Sequence, residues 1–142
     1  MARGGGRVSA PLALLLAERD CTRLVARYAA SADARDGRMA SLFTADGTLE
    51  TPHGSGAGRD GIAALMATAP ERATLHLCGN IVVDIIDEDH ATGRCDCAFI
   101  SERTDRDSGR RTLLVRTIGA YADTFRREDG QWLFARRVFT AG

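Results

Sequence analysis

Apolar residues recur at helical spacing in the N-terminal third of the chain. From Cys21 onward they fall every three or four positions, with charged or polar side chains mostly opposite; the apolar set comprises Leu24, Val25, Tyr28, Ala29 and Ala32. This spacing predicts an amphipathic helix that covers a core. If the helix extends to Asp33, the carboxylate projects at the edge of the apolar face and points toward the interior.

Short elements are predicted between this helix and the middle of the chain. A helical stretch is expected around Arg38–Phe43, followed by a turn at 45–47, a strand at 48–51, a flexible loop at 52–58 and a helix that opens at 59–61 and runs through Met66. The glycine-rich loop lacks the lysine and the spacing of a phosphate-binding loop. It is therefore interpreted as a mobile rim of a pocket.

Beyond Pro70 the apolar residues alternate as in a strand. The apolar set is Leu77, Ile81, Val83 and Ile85, and the alternate, more polar set is His76, Cys78, Asn80 and Asp84. Further strands are expected at 93–102, 113–126 and 132–140, with turns at 107–109 and 129–130. Helices followed by a meander of strands predict an α+β fold, with N-terminal helices packed on a curved antiparallel sheet. If the polar set lines a pocket, the apolar set needs cover, so a homodimer or homotrimer is expected.

The length and charge of the chain narrow the choice of function. Its 142 residues suit one domain, expected at 11–142 after a disordered tail at 1–10. The 19 basic and 19 acidic residues cancel and form no basic stripe, so a nucleic-acid partner is not expected. The longest apolar run, Ala10–Ala17, is too short to span a membrane and lacks a convincing signal-peptide cleavage site. We therefore expect a cytoplasmic protein.

The cysteines and histidines do not indicate a metal site. Cys95 and Cys97 lie on one face of a strand, where a mutual disulfide is geometrically awkward, and the other two cysteines, Cys21 and Cys78, are distant in sequence. We expect all four to stay reduced in the native protein. The three histidines, His53, His76 and His90, are scattered rather than spaced as metal ligands.

Ordered motifs from residue 17 to residue 140 resemble a known family. They are Arg27-Tyr28, Asp33, Ser41-Leu-Phe-Thr-Ala-Asp46-Gly, Gly58-Arg59 before Ile62, Thr74-Leu-His76 with Asn80, Gly119-Ala-Tyr121, Asp129-Gly-Gln-Trp132 and Arg137. Together they resemble the SnoaL-like branch of the nuclear-transport-factor-two-like superfamily, near its scytalone dehydratase, bile-acid dehydratase and dehydrochlorinase members. The resemblance implies a cone-shaped α+β barrel with a deep apolar pocket, no cofactor, and frequent dimers or trimers.

The same resemblance implies roles for individual residues. Asp33 and His76 match an aspartate on the first helix that pairs with a histidine on a following strand, and Tyr28 matches a tyrosine five residues before that aspartate. The second histidine of scytalone dehydratase falls at Ser101, so the chain departs from that enzyme's pattern. Asn80, Ser101 and Tyr121 are candidate substrate-binding groups that line the pocket.

The expected chemistry is proton abstraction from a small hydrophobic molecule. A histidine titrates near neutral pH, so His76 can remove a proton if Asp33 fixes its tautomer, and Tyr28 can donate a hydrogen bond to a carbonyl or a leaving hydroxyl. This predicts a cofactor-independent, dehydratase-like lyase or isomerase. The alternative is a non-catalytic ligand-binding or oligomerisation module, in which His76 is a hydrogen-bonded pocket residue and Tyr28 a core aromatic. A hydrolase is a third possibility.

Overall fold

The computed structural model describes residues 9–69 and 74–142. In chain order its elements are helix α1 (Ala10–Ala34), a short 3-10 helix (Met39–Leu42), strands β1 (Phe43–Thr51) and β2 (Gly54–Ala57), helix α2 (Gly58–Ala67), and strands β3 (Thr74–Ile85), β4 (His90–Thr104), β5 (Arg111–Glu128) and β6 (Gln131–Ala141). Two α-helices therefore flank a sheet of mostly long strands, α1 before the first strand and α2 between β2 and β3. This is the predicted α+β class.

The six strands form one open sheet in the order β2-β1-β6-β5-β4-β3. Strands β3 to β6 pair antiparallel with their sequence neighbours, and β2 pairs antiparallel with β1. The expectation of a purely antiparallel sheet is wrong at one place, because β1 runs parallel to β6. β1 and β6 are the first and last strands of the chain, so their pairing is long-range and local sequence patterns do not reveal it.

Helix α1 begins earlier than the apolar pattern predicted. Ala10 is already helical, and Pro11 lies in the first turn. A proline is tolerated there because the N–H that it lacks would have no acceptor within the helix, and its fixed φ suits a helix. Of the predicted tail at 1–10, only Ser9 and Ala10 are among the described residues. The helix ends where Arg35 adopts a left-handed φ of 52°. No helix among the described residues is long and apolar enough to cross a membrane.

The core lies between α1 and the inner face of the sheet. Its buried apolar residues from the helix include Leu24, Val25 and Tyr28, and those from the strands include Phe125 and Phe134. The predicted helical face therefore covers the core as expected. At ~25 cal/mol per Å² of apolar surface, burying each large side chain stabilises the fold by roughly 1.5–3 kcal/mol.

The segment at 45–58 is more regular than predicted. The expected turn at 45–47 lies inside β1, at an irregularity in its pairing with β6 between Phe43 and Thr48. Most of the expected loop is strand β2. Gly56 lies so close to α2 that an added Cβ would stand 2.5 Å from the carbonyl oxygen of Gly61. These glycines therefore serve close packing of a strand against a helix rather than loop mobility.

Strand β3 changes face part-way along its length. Its register with β4 shifts between Gly79 and Val82, and Asn80 has a left-handed φ of 49°. Such a bulge reverses the alternation of side chains. The prediction that Leu77 shares a face with Ile81, Val83 and Ile85 is wrong, because Leu77 is 58% exposed whereas the other three pack against the core.

Candidate functional site

Asp33 and His76 meet at the open edge of α1 and β3. The Oδ1 atom of Asp33 lies 2.5 Å from Nδ1 of His76, and the two carboxylate oxygens also accept the backbone N–H of His76 at 3.0 and 3.1 Å. The predicted proximity of the two side chains is confirmed. One carboxylate therefore fixes both the main chain and the ring of the histidine.

This geometry selects one tautomer of the imidazole. A carboxylate acceptor at Nδ1 keeps a proton on that nitrogen, so in the neutral ring Nε2 carries the free lone pair. The His76 side chain is 12% exposed and that of Asp33 is 20% exposed, so the pair is sheltered but reaches the surface. Phe99, directly opposite His76 on β4, holds the ring with a centroid separation of 4.4 Å.

Tyr28 lies beneath the imidazole, on the buried side of α1. Its ring stands nearly perpendicular to that of His76 at a centroid distance of 6.5 Å, and it is only 2% exposed. Burial raises the pKa of the Tyr28 phenol, while the guanidinium of Arg137 and a hydrogen bond with Tyr121 oppose the shift. Tyr28 therefore keeps its proton at neutral pH and is available as a donor.

A buried ion pair of Arg137 and Asp123 lies deeper in the same interior. The Nε atom of Arg137 is 3.3 Å from Oδ1 of Asp123, and the guanidinium carbon lies 3.7 Å and 4.2 Å from the ring centroids of Tyr121 and Tyr28. Both carboxylate oxygens, together with Nε and Nη1 of Arg137, lack a hydrogen-bond partner within the described parts of the chain. A buried charge is favourable only when it is compensated, and here the compensation comes from the opposite charge and aromatic faces.

Sequence reasoning placed Arg137 among the family motifs but gave this pair no role. The signal that could have found it is the spacing of two residues along a strand, which places side chains on one face. Asp123 shares the inward face of β5 with Tyr121 and Phe125, and Arg137 shares that of β6 with Phe139. A charged residue on the same strand face as buried aromatic residues indicates a buried ion pair. Burial raises the pKa of Asp123 to about 6, although Arg137 counteracts this shift.

The three predicted substrate-binding residues have different surroundings. Ser101 is buried on β4, two residues beyond Phe99, and faces inward beside the site. Tyr121 is 2% exposed and lies behind Tyr28. Asn80 is not at the site: it is exposed at the bulge of β3 and donates to Oδ2 of Asp96 at 2.8 Å. The prediction for Asn80 is wrong because the bulge removes it from the face of His76.

Cysteines are also present on this inner face. Cys78 lies directly opposite Cys97 on β4, with their Sγ atoms 3.6 Å apart, and Cys95 accepts a hydrogen bond from Nη2 of Arg137 at 3.5 Å. The expectation that all four cysteines stay reduced rested on the Cys95 and Cys97 spacing and on the distance of Cys21 and Cys78 in the sequence. The register of β3 against β4 creates the close contact, and a single sequence does not specify that register.

Two depressions of the described surface lie away from Asp33 and His76. One is at the far end of the β4–β5 hairpin, around Arg103 and Arg110, and the other lies between Leu14 on α1 and Val83 on β3. Among residues 9–69 and 74–142, no group of three or more histidine, cysteine or acidic side chains is arranged to hold a metal ion. The chemistry of the site therefore has to be derived from the Asp33 and His76 pair and its aromatic neighbours.

The fold and the site define a class of small α+β proteins in which a long N-terminal helix and an open curved sheet surround an interior that carries polar groups. The SnoaL-like domain model matches residues 13–138, and the chain belongs to this family. The family prediction made from the sequence motifs is thereby confirmed. No curated protein matches the sequence.

Solved structures show the same fold. A protein of unknown function from Mycobacterium tuberculosis is 25% identical, with a TM-score of 0.82 over 96% of this chain and 78% of that chain. A putative scytalone dehydratase from Novosphingobium aromaticivorans is 27% identical, with a TM-score of 0.74 over 92% of this chain and 87% of that chain. A hexachlorocyclohexane dehydrochlorinase from Novosphingobium barchaimii is 19% identical and has a TM-score of 0.78 over 94% and 91% of the two chains, a likeness of fold alone.

Proposed function

We propose that the chain is a cofactor-independent lyase or isomerase that removes a proton from a small, hydrophobic, carbonyl-bearing substrate. The observation that carries the proposal is the 2.5 Å contact between Asp33 and His76, reinforced by the hydrogen bonds of the same carboxylate to the His76 backbone. An ion pair on the surface does not need one carboxylate to hold both the ring and the backbone of the histidine. A catalytic base does, because its free nitrogen must face the substrate in one orientation.

In the proposed reaction Nε2 of His76 takes the proton from the carbon next to the carbonyl. The electron pair of the broken C–H bond moves into a carbon–carbon double bond, and Asp33 stabilises the imidazolium that forms. In a dehydration the C–O bond of the hydroxyl breaks, and the hydroxyl leaves as water with the proton that the imidazolium gives up. In an isomerisation the same imidazolium returns its proton to a different carbon.

Tyr28 is the proposed donor to the carbonyl or to the leaving hydroxyl. Its neutral phenol lies next to His76, and the Arg137 guanidinium against its ring favours negative charge on the substrate oxygen that Tyr28 would stabilise. Because Tyr28 is 2% exposed, a substrate has to displace neighbouring side chains to reach it. The similarity to the putative scytalone dehydratase from Novosphingobium aromaticivorans supports elimination as the first reaction to test.

One observation favours a non-catalytic small-molecule-binding or oligomerisation module instead. The interior beside the pair is filled by large side chains, since Tyr121, Phe134 and Arg137 are at most 2% exposed. In such a module Asp33 would anchor β3 to α1 and His76 would never exchange a proton with a ligand. Binding does not distinguish the two functions, because both would bind a small molecule. They differ in whether the protein exchanges a proton at a carbon atom of that molecule.

The test is proton exchange in deuterium oxide, followed by NMR over a panel of small carbonyl compounds with and without a β-hydroxyl group. The proposal predicts deuterium incorporation or elimination with at least one compound, and a decrease of about 10²- to 10⁴-fold in His76→Ala, the usual contribution of general base catalysis. His90→Ala is the matched control, because His90 also contacts an aspartate, Asp87, at 2.8 Å but is exposed. Binding without exchange, unaffected by His76→Ala, would instead establish the module.

A further inference from the structure

Cys78 and Cys97 form a dithiol on the inner face of β3 and β4. They are directly paired in the register of these strands, and the Cys78 thiol donates to the Sγ atom of Cys97 at 3.6 Å. Directly opposite residues in antiparallel strands have Cα atoms about 4.5–5.5 Å apart. This spacing lies inside the range of about 4.4–6.8 Å that disulfides span, so the sulfurs can approach bonding distance largely by side-chain rotation.

The surroundings of the two sulfurs differ in a way that suits sequential oxidation. Cys97 is 1% exposed, whereas Cys78 is partly exposed. The hydrogen bond from Cys78 lowers the pKa of the Cys97 thiol despite its burial, and the reactive form of cysteine is the thiolate. Cys95 is held differently: it accepts from Arg137, and its pKa is raised, first by its hydrogen bond with Cys78 and then by burial.

We propose that Cys78 and Cys97 are a modification site at which hydrogen peroxide forms an intramolecular disulfide. The Cys97 thiolate attacks one peroxide oxygen, the O–O bond breaks, and the departing oxygen leaves as water after taking up protons, which gives a sulfenic acid. The Cys78 sulfur then attacks the sulfenic sulfur, the S–O bond breaks, and a second water leaves. The two thiols lose two electrons in total and hydrogen peroxide gains them.

The chemical class of the oxidant follows from the burial of Cys97. Hydrogen peroxide can diffuse to a sulfur that is 1% exposed, whereas a tripeptide disulfide such as glutathione disulfide is too large to align with it. Disulfides in a reducing compartment are usually transient and redox-sensing. The expectation that all four cysteines stay reduced then applies to the unoxidised protein, and one pair departs from it under peroxide.

The disulfide would form beside the proposed catalytic pair but does not depend on its function. His76 precedes Cys78 by two residues and Phe99 follows Cys97 by two, and these two rings face each other at 4.4 Å. A bond between the neighbouring residues draws β3 and β4 together at this point. The ring signals of His76 in an NMR spectrum should therefore shift on oxidation, whether or not the protein is an enzyme.

The experiment is peroxide treatment of the full chain, followed by alkylation under denaturing conditions and mass spectrometry. The number of free thiols should fall from four to two, with a loss of two hydrogens in mass. Cleavage before Asp96 separates Cys95 from Cys97, so peptide mapping can identify the linked pair. A Cys78–Cys97 linkage supports the proposal, and a Cys78–Cys95 linkage or four surviving thiols overturns it.

Matched variants test each sulfur. Cys97→Ser and Cys78→Ala should both abolish the linkage, and Cys78→Ala should leave Cys97 to proceed to higher oxidation states. Cys21→Ser, which removes a thiol from α1, should leave the linkage unchanged. If the buried Cys97→Ser fails to fold, the linked peptide of the wild type and the Cys78→Ala variant decide the matter. Formation of any other intramolecular disulfide under peroxide in Cys78→Ala would overturn the assignment.

Discussion

Asp33 occupies an electrostatically unfavourable position at the end of α1. The C-terminal end of a helix carries partial negative charge, and the last turn of α1 contains no basic residue. The hydrogen bonds from the ring and backbone of His76 offset this cost. We predict that Asp33→Asn preserves the fold and much of the ligand binding but lowers turnover by about 10²- to 10⁴-fold, because the imidazolium loses its counter-charge. Turnover within a few-fold of wild type in a folded Asp33→Asn would remove Asp33 from the mechanism.

The coupling of Asp33 and His76 predicts a non-additive double-mutant cycle. If the two side chains act as one base, removing either abolishes the same step, and the double variant Asp33→Asn with His76→Ala should be little worse than the poorer single variant. The cycle is measured as turnover of any substrate found by the exchange experiment. Multiplicative losses would show that the two residues act independently, and the Asp87 and His90 pair supplies a control cycle without effect.

The buried carboxylate of Asp123 predicts a pH dependence of stability. Its pKa of about 6 in the folded protein exceeds its ordinary value of 3.8, so the folded state binds the proton more tightly than the unfolded state. The free energy of unfolding should therefore decrease as pH rises from about 4 to 6 and level off above that, by at most ~3 kcal/mol for a shift of this size. The comparison is urea unfolding of wild type and Asp123→Asn across this range, because exposed carboxylates common to both cancel. A difference between the two proteins that does not change with pH would contradict the prediction.

Prediction from sequence succeeded at the residue scale where an interaction is tied to local pattern and family motif. Asp33 and His76 match the aspartate and histidine of the family motifs, and their pairing was predicted from that match; periodicity placed one at the end of an amphipathic helix and the other near the start of an alternating strand. Asn80 was assigned wrongly because its backbone conformation, and with it the bulge, depends on pairing with β4. The buried pair of Arg137 and Asp123 had no assigned role, since charged residues on strands are ordinarily exposed.

At the scale of elements, strand boundaries could be predicted better than strand partners. The periodicity of β3 to β6 and their turns is local and strong, so each was located within a few residues. The parallel pairing of β1 with β6 is set by the whole path of the chain, and the strand β2 was mistaken for a loop because its glycines pack against α2. Both errors concern contacts between segments distant in sequence.

The bulge of β3 provides a test of backbone strain at this scale. Asn80 has a φ of 49°, which costs a β-branched residue roughly 1–2 kcal/mol and glycine almost nothing. We predict that Asn80→Val lowers the free energy of unfolding by about 1–2 kcal/mol more than Asn80→Gly does. Both variants lose the hydrogen bond to Asp96, so that loss cancels in the difference between them. Equal stabilities in urea unfolding would show that the left-handed conformation is absent.

At the scale of the whole molecule, the outer face of the sheet carries two rows of apolar residues. The register places Leu75, Ile100 and Val115 in one row and Leu77, Ala98 and Ile118 in the next. Leu75, Leu77, Val115 and Ile118 are between 50% and 64% exposed. The sequence analysis expected an apolar face on β3 that needs cover, and the bulge changes which residues compose it: Leu77 belongs to it, whereas Val83 does not.

We propose that a second copy of the chain covers these two rows in a homodimer or homotrimer. The six residues of these adjacent rows on three strands are all apolar, and a monomer rarely exposes a large apolar patch. The same patch on each copy can be self-complementary about a symmetry axis. The charged residues Glu102 and Arg111 pair with each other beside it, so they do not oppose an apolar contact.

Ile118→Lys should dissociate the assembly, since it places a charge within the patch on every copy. Ile86→Lys is the matched control, because Ile86 is 63% exposed and Ile118 is 64% exposed, but Ile86 lies in the turn after β3, outside the rows. Analytical ultracentrifugation at micromolar concentration should give a dimer or trimer for wild type and Ile86→Lys and a monomer for Ile118→Lys. A monomeric wild type at that concentration would contradict the proposal, and so would an Ile118→Lys variant that keeps the wild-type mass.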